Sequence, residues 1–170
     1  MTIFGSTAFV LFHTALSLIA IATGLVVVRG LIRNDALNGW TLWFWITTVG
    51  TTLTGFLFPF KEFTPAIGTG IVSTVVLAAT IPARYTFHFA GPWRQIYVIG
   101  AVISLYLNCF VLVVQAFLKV PALHALAPEG KEPPFAIAQL IVLLLAVVSG
   151  YLAVRRFRPG AAQAVLATNA

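Results

Sequence analysis

Five long apolar stretches, separated by short polar clusters, set the pattern of this chain. They cover residues 7–28, 40–60, 65–83, 96–118 and 135–154. A hydrocarbon core of ~30 Å takes about 20 helical residues, so each stretch has the length of one crossing. Turn-forming residues gather in the breaks: Arg33-Asn34-Asp35, Phe63-Thr64-Pro65, Ala90-Gly91-Pro92, and Glu129-Gly130 with Pro133-Pro134. Short connections make successive helices antiparallel neighbours. The pattern predicts an all-α integral membrane protein, a five-helix bundle over residues 1–158 with a flexible C-terminal tail over 159–170. Pro121, followed by Ala122-Leu123-His124 and closed by Pro128, predicts a short interfacial helix in the longest loop. No Lys or Arg precedes the first apolar run, so that run reads as a retained helix rather than a secretory leader.

Lipid removes the usual reason for an apolar face to turn inward, so the small and polar positions are the ones that report helix orientation. On the fourth stretch, Tyr97, Ala101, Ser104, Asn108, Gln115 and Lys119 fall within a sector of about 60°. An unpaired amide facing lipid costs several kcal/mol, so this stripe is expected to face other helices or a wet cavity. Matching rows are His13, Ser17, Ala20 and Gly24 on the first helix and Thr47, Thr51 and Thr54 on the second. Ala66, Gly70, Thr74 and Ala78 form a row on the third, and Gln139, Ala146, Gly150 and Ala153 on the fifth. At ~1.5 Å per residue, His13, Gln115 and Gln139 lie roughly 6–9 Å inside the same boundary. The expected result is a polar pocket open to the outer side, with His13, Ser104, Asn108, Gln115, Lys119 and Gln139 as candidate ligand-binding residues.

Charge orients this bundle. Arg29, Arg33, Arg84, Arg94, Arg155, Arg156 and Arg158 fall at one end, and Lys61, Lys119 and Lys131 at the other beside Glu62, Glu129 and Glu132. The positive-inside bias then predicts the N-terminus outside and the C-terminus in the cytoplasm. It also accounts for the net charge of +6 without nucleic acid. All four tryptophans, Trp40, Trp43, Trp45 and Trp93, fall near the arginine end, where an interfacial aromatic belt is expected. Only 8% of residues are charged, against about 25% in soluble domains, which excludes a water-covered surface.

The chemistry is less specific. His13 is the one ionisable side chain well inside a predicted span, and such residues mark functional sites by default. Its alternative role is a neutral imidazole bonded to Gln115, Gln139 or a backbone carbonyl. Asn108 and Gln115 also suit interhelical hydrogen bonding, and the threonines of the second helix can bond their own backbone. No H-E-x-x-H, P-loop, G-x-S-x-G or cysteine cluster is present; Cys109 is the single cysteine. An enzyme is therefore the least supported class, and no metal site is expected. The leading expectation is binding of a small polar or amphipathic ligand such as a quinone headgroup. A non-catalytic accessory or assembly subunit of a larger membrane complex is the second. A b-type haem carrier is the third, short of a second intramembrane histidine because His88 and His124 lie outside the spans. The identity of any cofactor stays open.

Thr54-Gly55-Phe56-Leu57-Phe58-Pro59-Phe60, and the run from Trp93-Arg94 through Leu105-Tyr106-Leu107-Asn108 to Phe117-Leu118-Lys119-Val120-Pro121, resemble small uncharacterised multi-pass proteins of Gram-negative bacteria. Glu132-Pro133-Pro134-Phe135 and Gln139 extend the resemblance over most of the chain. It implies a bacterial inner-membrane location and carries no activity, cofactor or site residue.

Overall fold

A computed structural model describes residues 6–59 and 65–160. Among these residues every regular element is helical: α1 Thr7–Ile32, α2 Asn38–Phe56, α3 Pro65–Tyr85, α4 Trp93–Lys119, α5 Pro121–His124 and α6 Pro133–Arg156. The five long helices occupy the five expected stretches, and α5 is the expected short turn with proline at its start. Ser6 caps α1, its hydroxyl accepting from the Phe9 N–H at 3.4 Å. Proline opens α6 where the first N–H groups have no intrahelical partner to lose. Lys61, Glu62, Phe60 and Phe63 lie outside the described residues.

Four helices, α1, α3, α4 and α6, are long and apolar enough to cross a bilayer. The six threonines and the Asn38-Gly39 start of α2 keep it below that level. It nevertheless runs antiparallel to α1 along most of its length. Gly24 of α1 faces Phe44 of α2, and His13 bonds Thr54. The antiparallel order continues: Thr52 bonds Ser73, Arg84 bonds Tyr97, and Phe117 meets Phe135. Helix α1 packs on α2, α2 on α3, α3 on α4 and α4 back on α1, which closes a four-helix ring. Helix α6 lies outside it, in the groove between α4 and α1.

The two halves of the ring differ. At the arginine end Val27, Leu31, Phe44, Trp45, Tyr97, Val98, Ala101 and Phe157 make a continuous core. Arg94 donates from Nη1 to the Val154 and Phe157 carbonyls at 2.9 and 2.8 Å, capping the C-terminus of α6 with positive charge. The Arg158 N–H donates to Asn34 Oδ1 at 2.6 Å, tying the α1–α2 turn to the chain after α6. At the opposite end the ring is hollow.

Two expectations need correction. On α3, Thr74 and Ala78 are exposed, and the packing face is Ser73, Leu77, Thr80 and Arg84. The close approach of α3 to α4 comes from Gly100 on α4, where Thr80 fills the space that a side chain would take. Trp45 also leaves the interfacial belt: it is 3% exposed and packs on Phe44 and Tyr97. Trp40 and Trp43 do point outward.

Candidate functional site

The hollow end is a cavity of about 420 Å3 whose walls come from α1, α2, α3 and α4. That volume lies within the range of small-molecule sites, ~300–1,000 Å3. Leu18, Ile21, Phe56, Phe58, Ile67, Leu107, Val111 and Leu112 make its surface mostly apolar. Polar groups converge from every wall: His13, Thr14 and Ser17 from α1, Thr51 and Thr52 from α2, Thr69 and Ser73 from α3, and Asn108, Gln115 and Lys119 from α4. No carboxylate lines it among the described residues.

Of the six candidate residues, His13, Asn108, Gln115 and Lys119 share this cavity, and Ser104 and Gln139 do not. Gln139 belongs to α6, outside the ring, and its Nε2 donates to the Phe110 carbonyl at 3.2 Å across the α4–α6 contact. Ser104 lies deeper on the same α4 stripe, 1% exposed, and its hydroxyl has no partner. The stripe therefore runs from the packed core at Tyr97 and Ala101 into the cavity at Asn108.

The partner of His13 is Thr54. Its Nδ1 lies 2.8 Å from Thr54 Oγ1. The Thr54 hydroxyl already donates its one proton to the Gly50 carbonyl at 2.7 Å, so the Nδ1–H donates and the oxygen accepts. In neutral imidazole this leaves Nε2 as a lone-pair acceptor. Phe58 packs edge-on against the ring with centroids 5.1 Å apart and limits its rotation. Ser17 donates to the His13 carbonyl and Thr52 bonds Ser73, so both are already engaged within the wall. The Asn108 amide donates to the Ser104 carbonyl and keeps its oxygen and a second N–H.

Free functions on the wall include a lone-pair acceptor at His13, an ammonium at Lys119, primary amides at Asn108 and Gln115, and the unpartnered Thr51 hydroxyl. Lys119, the last residue of α4, stands exposed at the rim.

Comparison with protein-family models, curated proteins and solved structures found no match for this chain.

The other histidines do not line the cavity. His88 sits in the α3–α4 loop at the arginine end, and His124 is exposed on α5. From His13 to the arginine end of α1 is about 25 Å at 1.5 Å per residue, so His13 and His88 are too far apart to ligate one haem. Thr54, on an expected inward row, and Ser73 are not among the six candidate residues. The facing pairs of the α1–α2 hairpin, 13 with 54 and 24 with 44, stay balanced about the Arg33-Asn34 turn, and counting outward from that turn finds Thr54.

Proposed function

We propose that this chain is a five-span protein of the bacterial inner membrane that binds a small amphipathic, quinone-like molecule in the cavity beside His13. The arrangement of free functions carries the reading. A quinone headgroup with an oxygen at each end accepts from Lys119 and the Gln115 amide, one turn apart on α4, at one oxygen. In its hydroxyl form it donates to His13 Nε2 at the other. Apolar walls that include Phe56 and Phe58 suit the ring and the start of a tail.

The exposed side of α2 supports a fifth crossing. Leu42, Trp43, Ile46 and Leu53, all more than half exposed, form an apolar outer face, while the threonines turn inward. The arginine-rich end supports a cytoplasmic assignment, which puts the His13 cavity on the outer side.

The test is organic extraction and mass spectrometry of gently purified protein, with a visible spectrum of the same sample. An isoprenoid quinone or similar amphipathic molecule is expected to co-purify. His13→Leu should lower its occupancy while the yield of folded protein stays near normal. Unchanged ligand content in that variant, or no such molecule in the wild-type protein, refutes the reading. For topology, a cysteine at Ala125 should react with an impermeant reagent added outside intact spheroplasts, and a cysteine at Arg33 should not. The reverse pattern inverts the orientation.

A further inference from the structure

A second cavity, about 840 Å3, lies at the arginine end, walled by the α1–α2 turn, the α3–α4 loop and the chain leaving α6. We propose that it holds a phosphate-bearing anion. Arg94 and Arg158 line it, with His88, Asn34 and Asn38 as further polar groups. Asp35 is the one carboxylate on the wall among the described residues, and its Oδ1 accepts from the Leu37 N–H at 3.0 Å.

Burial separates Arg84, and in part the half-buried Arg94, from charges that only orient a membrane protein, while Arg158 reaches the cavity from an exposed position. Arg29, Arg33, Arg155 and Arg156 are exposed, which is all that a positive-inside signal requires. Arg84 is 8% exposed. Its Nη1 donates to Tyr97 Oη at 3.0 Å, its Nη2 donates to Asn38 Oδ1, and its guanidinium lies 5.4 Å from the ring centres of Phe89 and Tyr97. None of these partners carries a negative charge, so a desolvated cation stands uncompensated behind the cavity wall. Buried charge without a counter-ion is costly, and Arg84, with the half-buried Arg94 and the exposed Arg158 beside it, exceeds the single Asp35. Asn38 spans the two environments: its oxygen binds Arg84, and its amide nitrogen is left to donate into the cavity.

The backbone adds an independent observation. Asn34, Leu37, His88 and Phe89 adopt positive φ of 62°, 39°, 47° and 64°, and no other non-glycine residue among those described does so. All four belong to the two loops at this cavity. Left-handed geometry at residues such as Leu and Phe costs of order 1–3 kcal/mol each and concentrates at ligand clamps. Guanidinium forks match phosphate oxygens, and the volume exceeds that of a bare ion, leaving room for the rest of a headgroup. An anionic phospholipid at the cytoplasmic surface and a soluble phosphate both present this chemistry. The inference is independent of what occupies the His13 cavity.

The experiment is thermal unfolding of the full chain in a neutral detergent, titrated separately with phosphatidylglycerol, phosphatidylcholine and inorganic phosphate. Phosphatidylglycerol is expected to raise the midpoint saturably where phosphatidylcholine does not, which assigns the lipid as source; the same response to inorganic phosphate alone assigns a soluble one. Arg158→Gln should weaken the response at least about tenfold, the loss expected for one charge-assisted contact. Arg29→Gln removes the same charge from an exposed site off the cavity and should leave the response unchanged. Asn38→Asp, which brings a carboxylate to Arg84, should stabilise the ligand-free protein and blunt the response. No response to either phosphate source, or equal weakening by Arg29→Gln and Arg158→Gln, overturns the proposal.

Discussion

Replacing Gly100 by alanine should pry α3 from α4. A Cβ at position 100 would stand 1.8 Å from Thr80 Oγ1 and 2.9 Å from both Thr80 Cβ and Cγ2. Rotating Thr80 removes the first clash at the loss of its 2.6 Å hydrogen bond to the Val76 carbonyl, but no rotation moves its Cβ. Carbon atoms pack best at about 3.5 Å or more, so the helices must separate locally by ~0.5 Å. Overpacking of this kind costs about 1–3 kcal/mol. The cost propagates, because Arg84 and Tyr97 bridge the same two helices one turn away and are both buried. Reversible unfolding in mixed detergent micelles measures the change. The partner variant Thr80→Gly is expected to be destabilising alone, through lost packing and helix propensity. Combined with Gly100→Ala it should recover at least ~1 kcal/mol relative to additivity, because the methyl then enters the space vacated by threonine. A Gly100→Ala protein within about 0.5 kcal/mol of wild type, or a strictly additive double variant, would refute the close-approach argument.

Thr54→Val should free the His13 ring from its donor role and reduce ligand occupancy to a degree similar to His13→Leu; full retention in Thr54→Val would show that imidazole orientation is irrelevant to binding. Arg84→Lys should destabilise the fold by about 1–3 kcal/mol in the same unfolding assay, because one ammonium cannot reproduce the geometry that reaches Tyr97 and Asn38 together. In the loop between α5 and α6, the Glu132 carboxylate accepts from the Glu129 N–H at 3.0 Å and the Lys131 N–H at 2.9 Å, and the Glu129 bond leads in holding its pKa below the ordinary value of 4.5. A lowered folded pKa means that the stabilisation is complete above the ordinary value and is lost as pH falls through the folded one. Exchange of the Glu129 and Lys131 amides, corrected for intrinsic rate, should accelerate below that point, and Glu132→Gln should abolish the pH dependence.

The helices were legible because length and breaks are properties of the chain itself. Asn34 sits at the turn where a left-handed residue is needed, and proline stands where α5 and α6 start. His13 and Gln115, expected at one depth, line one cavity from different helices. Rotation about each helix axis was harder to read. On α3 both the Gly70–Thr74–Ala78 row and the Ser73–Leu77–Thr80 row are plausible inner faces, and the choice depends on Gly100, a residue of another helix. Gln139 has the right depth and an inward phase, but its helix sits outside the ring, and neither periodicity nor depth encodes which helices close on each other. The arginine-end cavity was hidden for a different reason: its walls are loops whose positive φ at Leu37, His88 and Phe89 has no sequence signature.

Helix α6 follows the four ring helices in the chain, and the ring it leans on closes without it. Synthesis can thus finish a closed four-helix body before α6 is made. That segment then has little to seek beyond a shallow seat for Ala146, Gly150 and Ala153, with the Arg94 guanidinium waiting to clasp the carbonyls at its far end. The compartment around His13 takes no residue from α6, so a chain that has not yet made this helix already carries all four of its walls.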